Sequence, residues 1–197
     1  MESYTFVFFG IAGSGKGTQV KLLTDFLRAK DAKEDVYAYP GKEFRRLIES
    51  GSFTGNIIKE SFTKGNLQPD FIVNPLFTEI LIDELSAEKH LVADGYPRTL
   101  GQSENFESLM KFFKRDKVKI IYIQVGKDEA TKRNKLRARA DDTDEGIAKR
   151  FDEYVNNVIP AMQYFDGKTG YELFSINGEQ GVDEVHKEIL AALGFTQ

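Results

Sequence analysis

The stretch Gly10-Ile11-Ala12-Gly13-Ser14-Gly15-Lys16-Gly17-Thr18 gathers glycines, an amine and hydroxyls in a pattern suited to holding phosphate. Glycines at 10, 13 and 15 allow backbone conformations in which several N–H groups converge on anionic oxygens, and Lys16 adds a full positive charge. Gly17 follows the lysine, so the hydroxyl at Thr18 arrives one position later than in the general phosphate-loop pattern. A second set is Asp94-Gly95-Tyr96-Pro97-Arg98-Thr99. Beside bound phosphates Asp94 suits Mg²⁺, held directly or through water; an Asp-Gly pair can also simply cap a turn. The third set is Arg133, Arg137, Arg139 and Arg150, with Asp141 and Asp142 among them. Taken alone it reads as a solvated charged face with helix-supporting ion pairs. Next to a phosphate loop it reads as guanidinium groups converging on the charge that develops in phosphoryl transfer.

These side chains need a scaffold that brings them together. The apolar run Tyr4 to Phe9 reads as a strand leading into the loop, and Val20, Leu22, Leu23, Phe26 and Leu27 place a helix after it, ending near Lys30-Asp31. A short buried strand, Val36 to Tyr39, stops at Pro40-Gly41, and helices over 42–50, 56–62 and 70–85 follow. Leu91-Val92-Ala93 is a strand that delivers Asp94. A helix over 100–113, a strand over 119–125, a charged helix over 128–138 and a long helix over 143–164, kinked at Pro160, come next. A strand over 171–176 and a helix carrying Val182, Val185, Ile189 and Leu193 complete the pattern. Alternating strands and helices imply a parallel sheet covered on both faces, with ligands at the carboxyl ends of its strands. The phosphate loop and Asp94 should therefore face each other.

Composition narrows the partners. The chain has 197 residues, 41% of them hydrophobic, which suits one folded unit with a sizeable core. A net charge of −4 supplies no overall basic field, so nucleic acid is not expected as a main partner. No cysteine is present, which excludes disulfides, thiolate zinc sites and a cysteine nucleophile. No segment approaches the roughly 18 apolar residues of a membrane helix, and a soluble cytoplasmic protein is the expectation. His90 and His186 read as surface side chains flanking helices, without a role. Tyr39 reads as a packing residue, while Tyr96 is open between stacking on a base and packing.

Together, Gly-Ile-Ala-Gly-Ser-Gly-Lys-Gly-Thr-Gln at 10–19, Asp-Gly-Tyr-Pro-Arg-Thr at 94–99 with Gln102, and Arg-Ala-Asp-Asp at 139–142 followed by Arg150 resemble the adenylate kinase family of nucleoside monophosphate kinases. In that family Gly then Thr follows the loop lysine, which accounts for the displaced hydroxyl. The resemblance implies an α/β, P-loop NTPase-like three-layer fold with a five-stranded parallel sheet in the order 2-3-1-4-5. It implies one kinase domain over 1–197, a helical monophosphate-binding insertion over 39–69 and a vestigial lid over 137–141. The implied reaction is reversible, MgATP and AMP giving two ADP by direct in-line transfer, in a monomer without structural zinc. Gly13, Ser14, Gly15, Lys16, Gly17 and Thr18 would hold the donor phosphates, with Lys16 on the β- and γ-phosphates. Arg133 and Gly178 would border the donor base. Gly41, Arg45, Leu67, Gly95, Arg98 and Gln102 would bind AMP, Arg45 and Arg98 at its phosphate and Gln102 at its base. Lys16, Arg98, Arg137, Arg139 and Arg150 would be catalytic, and Asp94 would hold Mg²⁺ through water.

Two departures stand out. Where adenylate kinases carry Ser-Thr-Gly-Asp, this chain has Tyr39-Pro40-Gly41-Lys42, so the hydroxyl near the acceptor nucleoside is expected to be missing. Thr99 and Gln102 still point to AMP, while Pro40 and Lys42 keep UMP, CMP or dAMP as alternatives; a nucleotide-binding protein without transfer is a third. Only Ala138 separates Arg137 from Arg139, which leaves almost no lid.

Overall fold

The computed structural model describes residues 3–137 and 142–195. Five parallel strands form one sheet in the order β2-β3-β1-β4-β5: β1 Thr5–Phe9, β2 Asp35–Ala38, β3 His90–Asp94, β4 Val118–Gln124 and β5 Tyr171–Asn177. Every residue of β1 and β3 is buried, because helices cover both sheet faces. One apolar layer joins Val7, Phe9 and Ala93 to Phe77, Phe106 and Phe165. The other joins Phe6, Phe8 and Val92 to Leu23, Leu27 and Ile189.

The helices are α1 Lys16–Asp31, α2 Pro40–Glu49, α3 Phe53–Thr63, α4 Asp70–Glu84, α5 Leu100–Phe112, α6 Lys127–Arg137, α7 Asp144–Glu153, α8 Ile159–Gln163 and α9 Val182–Ala192. Their starts are chemically marked. Ser52, Thr99 and Thr143 each accept a hydrogen bond from the backbone N–H three residues on, at 3.1, 3.1 and 3.0 Å. Pro40 opens α2, where its preset φ fits and its missing N–H costs nothing. Pro40-Gly41 thus begins the helix instead of separating strand from helix.

Two other expectations change. The irregularity in the 143–164 segment is a π-helical turn over Tyr154–Val158, which joins α7 to α8 just ahead of Pro160. Proline has no N–H to give to the ladder, and the widened turn just before it absorbs the mismatch. His90 is not a surface residue but fully buried in β3. Its Nδ1 accepts from the Tyr4 backbone N–H at 3.0 Å, which puts the ring proton on Nε2, 3.2 Å from the Asp31 carboxylate. His186 is half-buried on α9, and burial lowers its pKa. Tyr96 packs: its ring stacks on Phe77 at 4.0 Å, and its hydroxyl donates to Asn74 and accepts from Asn105.

Candidate active site

A cavity of about 910 Å³ opens at the carboxyl ends of β1 and β3. Parallel register sets Phe8 beside Asp94, so the loop leaving β1 and the carboxylate ending β3 face one space. The loop turns on left-handed backbone at Gly13 and Gly15, with φ of 90° and 91°. Gly13 also meets α6 closely, since a Cβ there would lie 2.6 Å from the Ala130 carbonyl. Asn134 of α6 ties down the same spot by donating from Nδ2 to the Ala12 carbonyl at 2.8 Å. The helix bearing Arg133 and Arg137 is thereby docked on the phosphate loop.

Lys16 folds over its own loop, donating from Nζ to the carbonyls of Gly10 at 2.7 Å and Ile11 at 2.9 Å. Burial pushes its pKa down to about 8; Asp94 opposes that shift, and the charges of Arg98 and Arg137 add to it. Those three groups, from β3, the following turn and α6, act electrostatically on one amine. Asp94 is buried and accepts from the Tyr37 hydroxyl at its Oδ2, 2.9 Å away. Burial and the Asp94 charge raise the Tyr37 pKa, so this phenol stays a neutral donor.

Across the cavity, Arg98 follows β3 and donates from Nε to the Gly95 carbonyl at 2.8 Å. Neither Nη group has a hydrogen-bond acceptor among the described residues. Gln102 takes the Arg98 backbone N–H on Oε1 at 2.8 Å and donates from Nε2 to Asp70 Oδ1 at 2.8 Å. Asp70 also accepts from the Thr99 hydroxyl at 2.9 Å. A carboxylate can only accept and a backbone N–H can only donate, so the Gln102 amide has one possible orientation. Among the described residues one N–H and one carbonyl lone pair of this amide have no partner. Arg45 of α2 donates to the Gly41 carbonyl at 3.1 Å and to the Tyr39 hydroxyl at 2.9 Å. Leu67 lines the cavity between Asn66 and Gln68.

Two members of the third arginine set, Arg137 and Arg150, converge on one carboxylate. Arg137 binds Asp142 through Nε at 3.0 Å and Nη2 at 2.7 Å, and Arg150 reaches the same Asp142 Oδ1 at 2.8 Å. The Asp142 side chain is only 1% exposed, so two cations are positioned around a nearly inaccessible anion. On the far side, Arg133 donates from Nη1 to the Gly178 carbonyl at 2.9 Å. A Cβ at Gly178 would stand 2.5 Å from the Ile123 side chain, which only glycine permits. Gln19 donates to the Val182 carbonyl at 2.9 Å and joins α1 to this wall.

The structure thus brings to one cavity Gly13, Ser14, Gly15, Lys16, Gly17, Thr18, Gly41, Arg45, Leu67, Asp94, Gly95, Arg98, Gln102, Arg133, Arg137, Arg150 and Gly178. Arg139 and the lid residues 138–141 lie outside the described residues. Sequence reading missed Tyr37, Tyr39, Asp70 and Asn134 as residues that shape the site. Tyr39 lines the cavity instead of packing away from it. The Tyr-Pro-Gly-Lys stretch thus still presents a hydroxyl to the cavity, carried by Tyr39. A usable signal did exist, since Tyr37 and Tyr39 alternate on one face of a strand.

The comparisons agree with this arrangement. The family model for adenylate kinase matches residues 8–170. An adenylate kinase of Mycobacterium ulcerans (strain Agy99) is 30% identical, covering 95% of this chain and 98% of the relative. One of Thermosipho africanus (strain TCF52B) is 28% identical over 93% of this chain and 96% of its own length. One of Geobacillus sp. (strain WCH70) is 28% identical over 97% and 99%. The Thermosipho and Geobacillus alignments span 215 and 226 positions, so those relatives hold residues without a counterpart among the 197 here. With a match over most of its length and the three charged sets assembled around one cavity, this chain belongs to the adenylate kinase family of phosphotransferases.

Proposed function

We propose that the protein transfers the γ-phosphoryl group of MgATP to AMP, reversibly and in line, giving two ADP. The observation that carries this reading is one cavity lined by two separate cationic groups, Lys16 with its loop and Arg45 with Arg98, each suited to clamp a phosphate. Arg137 and Arg150, held by Asp142, are placed to meet the charge that passes between them, and Arg139 is assigned the same role from the motif. Catalysis then rests on positioning and charge stabilisation and needs no general base. Gly13 to Thr18 hold the donor phosphates, and Arg133 and Gly178 border the donor base. Gly41, Leu67, Gly95 and Gln102 surround the acceptor, with the uncommitted N–H and lone pair of Gln102 matching N1 and the 6-amino group of adenine.

Asp94 fits Mg²⁺. It is a single carboxylate beside a phosphate cradle, one oxygen bound to Tyr37 and the other without a hydrogen-bond partner among the described residues. When bound, the ion screens the phosphate charges. We further assign 39–69 as the monophosphate-binding insertion and 137–141 as a vestigial lid, and propose a cytoplasmic monomer acting on small molecules, not on nucleic acid or membranes. No described helix is long and apolar enough to cross a membrane.

A coupled assay with ATP and a panel of nucleoside monophosphates tests the reading. Turnover with AMP supports it, preference for UMP or CMP replaces it with the pyrimidine reading, and binding without turnover removes transfer altogether. Pro40 does line the cavity, but Lys42 is exposed and off its lining, which favours AMP over the alternatives that Pro40 and Lys42 raised.

Two results are expected around this site. Asp70→Asn relaxes the constraint on Gln102, so KM for AMP should rise several-fold with kcat little changed, while KM for ATP stays the same. With almost no lid, closure excludes water incompletely, and ATP hydrolysis without acceptor should exceed that of a short-lid relative. Phosphate release with and without AMP measures the leak; equality with the relative refutes the effect.

A further inference from the structure

We propose that Tyr39 is a further ligand of the acceptor phosphate, its hydroxyl donating a hydrogen bond beside Arg45 and Arg98. This rests on reading those two arginines as the acceptor-phosphate clamp.

Tyr39 is the extended residue just before α2, and it lines the cavity. Its ring is folded over Gly41, where a Cβ would come within 2.5 Å of Cζ and 2.6 Å of the hydroxyl oxygen. Gly95 is also near the ring: a Cβ there would lie 3.4 Å from Tyr39 Cε2 and 2.7 Å from Arg98 Nη2. The ring therefore stands close to both glycines and in the neighbourhood of both arginines. Arg45 donates to the Tyr39 hydroxyl oxygen at 2.9 Å, with its guanidinium carbon 5.4 Å from the ring centroid. Tyr37 stacks on the same ring at 5.7 Å and is itself anchored to Asp94.

The direction of the proton follows from these contacts. A guanidinium only donates, so at Arg45 the Tyr39 oxygen accepts. The phenolic O–H is left with no acceptor among the described residues. An acceptor phosphate gripped by Arg45 and Arg98 offers anionic oxygens to that donor, and O–H to phosphate is a charge-assisted bond. Stacking from Tyr37 and the pairing with Arg45 hold the phenol in place before the ligand arrives, which lowers the ordering cost of binding.

Tyr39→Phe removes the hydroxyl and keeps the ring over Gly41. Binding of AMP and of adenosine, measured by calorimetry without ATP or metal, separates the phosphate from the nucleoside. AMP is expected to bind about tenfold more weakly to Tyr39→Phe, as for loss of one hydrogen bond to a charged group, with adenosine unchanged. In an Arg45→Ala background, Tyr39→Phe should still weaken AMP, which a role limited to orienting Arg45 does not predict. Unchanged AMP affinity in Tyr39→Phe overturns the proposal, as does equal loss for AMP and adenosine, or no further loss in the Arg45→Ala background. If Arg45→Ala itself leaves AMP binding intact, the clamp reading fails first and the proposal with it.

Discussion

Lys16→Ala is expected to lower turnover by about 10³-fold, the upper end of the range for removing one preorganised charge-stabilising donor. Among the described residues the amine hydrogen-bonds only to its own loop, through the Gly10 and Ile11 carbonyls and, at 3.5 Å, the Ser14 hydroxyl. The start of α1 is set by the left-handed Gly15, not by the lysine side chain. The fold should therefore survive, and circular dichroism should match the parent. Stability has a definite sign. The folded-state pKa of Lys16, about 8, is below the ordinary 10.5, so the buried charge weighs against the folded state below pH 8. That weight lifts as pH rises towards 10.5. The variant should melt no lower than the parent at pH 7. Phosphate anions favour the charged amine, so ATP binding near pH 8 should take up protons in the parent and not in the variant. Calorimetry in buffers of different ionisation heat reads this directly. Near-normal turnover in Lys16→Ala contradicts the assignment.

Arg98→Ala is expected to reduce kcat/KM for AMP by about 10²- to 10³-fold, with KM for ATP changing little. Arg98 is half-buried, and its Nε is committed to the Gly95 carbonyl while neither Nη group has an acceptor among the described residues. Removing it leaves a phosphate with one clamp in place of two. The loss should appear in kcat as well as KM, because on the proposed reading the phosphate held here would also be the nucleophile. Its placement decides the approach distance for in-line transfer. The backbone N–H of residue 98 still reaches Gln102 after the substitution, so base recognition should persist. Steady-state kinetics with each substrate varied separates these effects. An Arg98→Ala enzyme with parental kcat/KM for AMP removes the arginine from the acceptor site.

Much of this site was legible in the sequence, for a local reason. The phosphate loop is made of consecutive residues, so its glycines, amine and helix start prescribe one geometry wherever they are placed. Asp94 and Arg98 share one turn, and Arg133 and Arg137 share one helix face. The alternation of strands and helices was enough for a parallel sheet with its site at the strand ends. Tyr37 and Tyr39 were harder to read, because their partners are 57 and 6 residues away, and aromatic residues at a strand end are most often packing residues. Asp70 opens a helix, the ordinary place for an acidic residue. Its link to Gln102 exists only because α4 and α5 pack side by side. His90 was misread for a similar reason: polar neighbours before β3 resemble a surface loop, whereas its position in a central strand buries it.

By itself, then, the sequence determined which chemistry the chain carries, a phosphate loop, an acid suited to Mg²⁺ and guanidinium groups in number, because each depends on residue type and short-range spacing. Only the tertiary structure decided how those groups are aimed. Sheet order sets β2 against β3 and brings Tyr37 to Asp94; the docking of α6 through Asn134 brings Arg137 to the cavity that the loop lines. It also decided that a hydroxyl, that of Tyr39, stands in the cavity wall in hydrogen-bond contact with Arg45. Orientation of this kind is a property of packing between distant segments, and no local pattern encodes it.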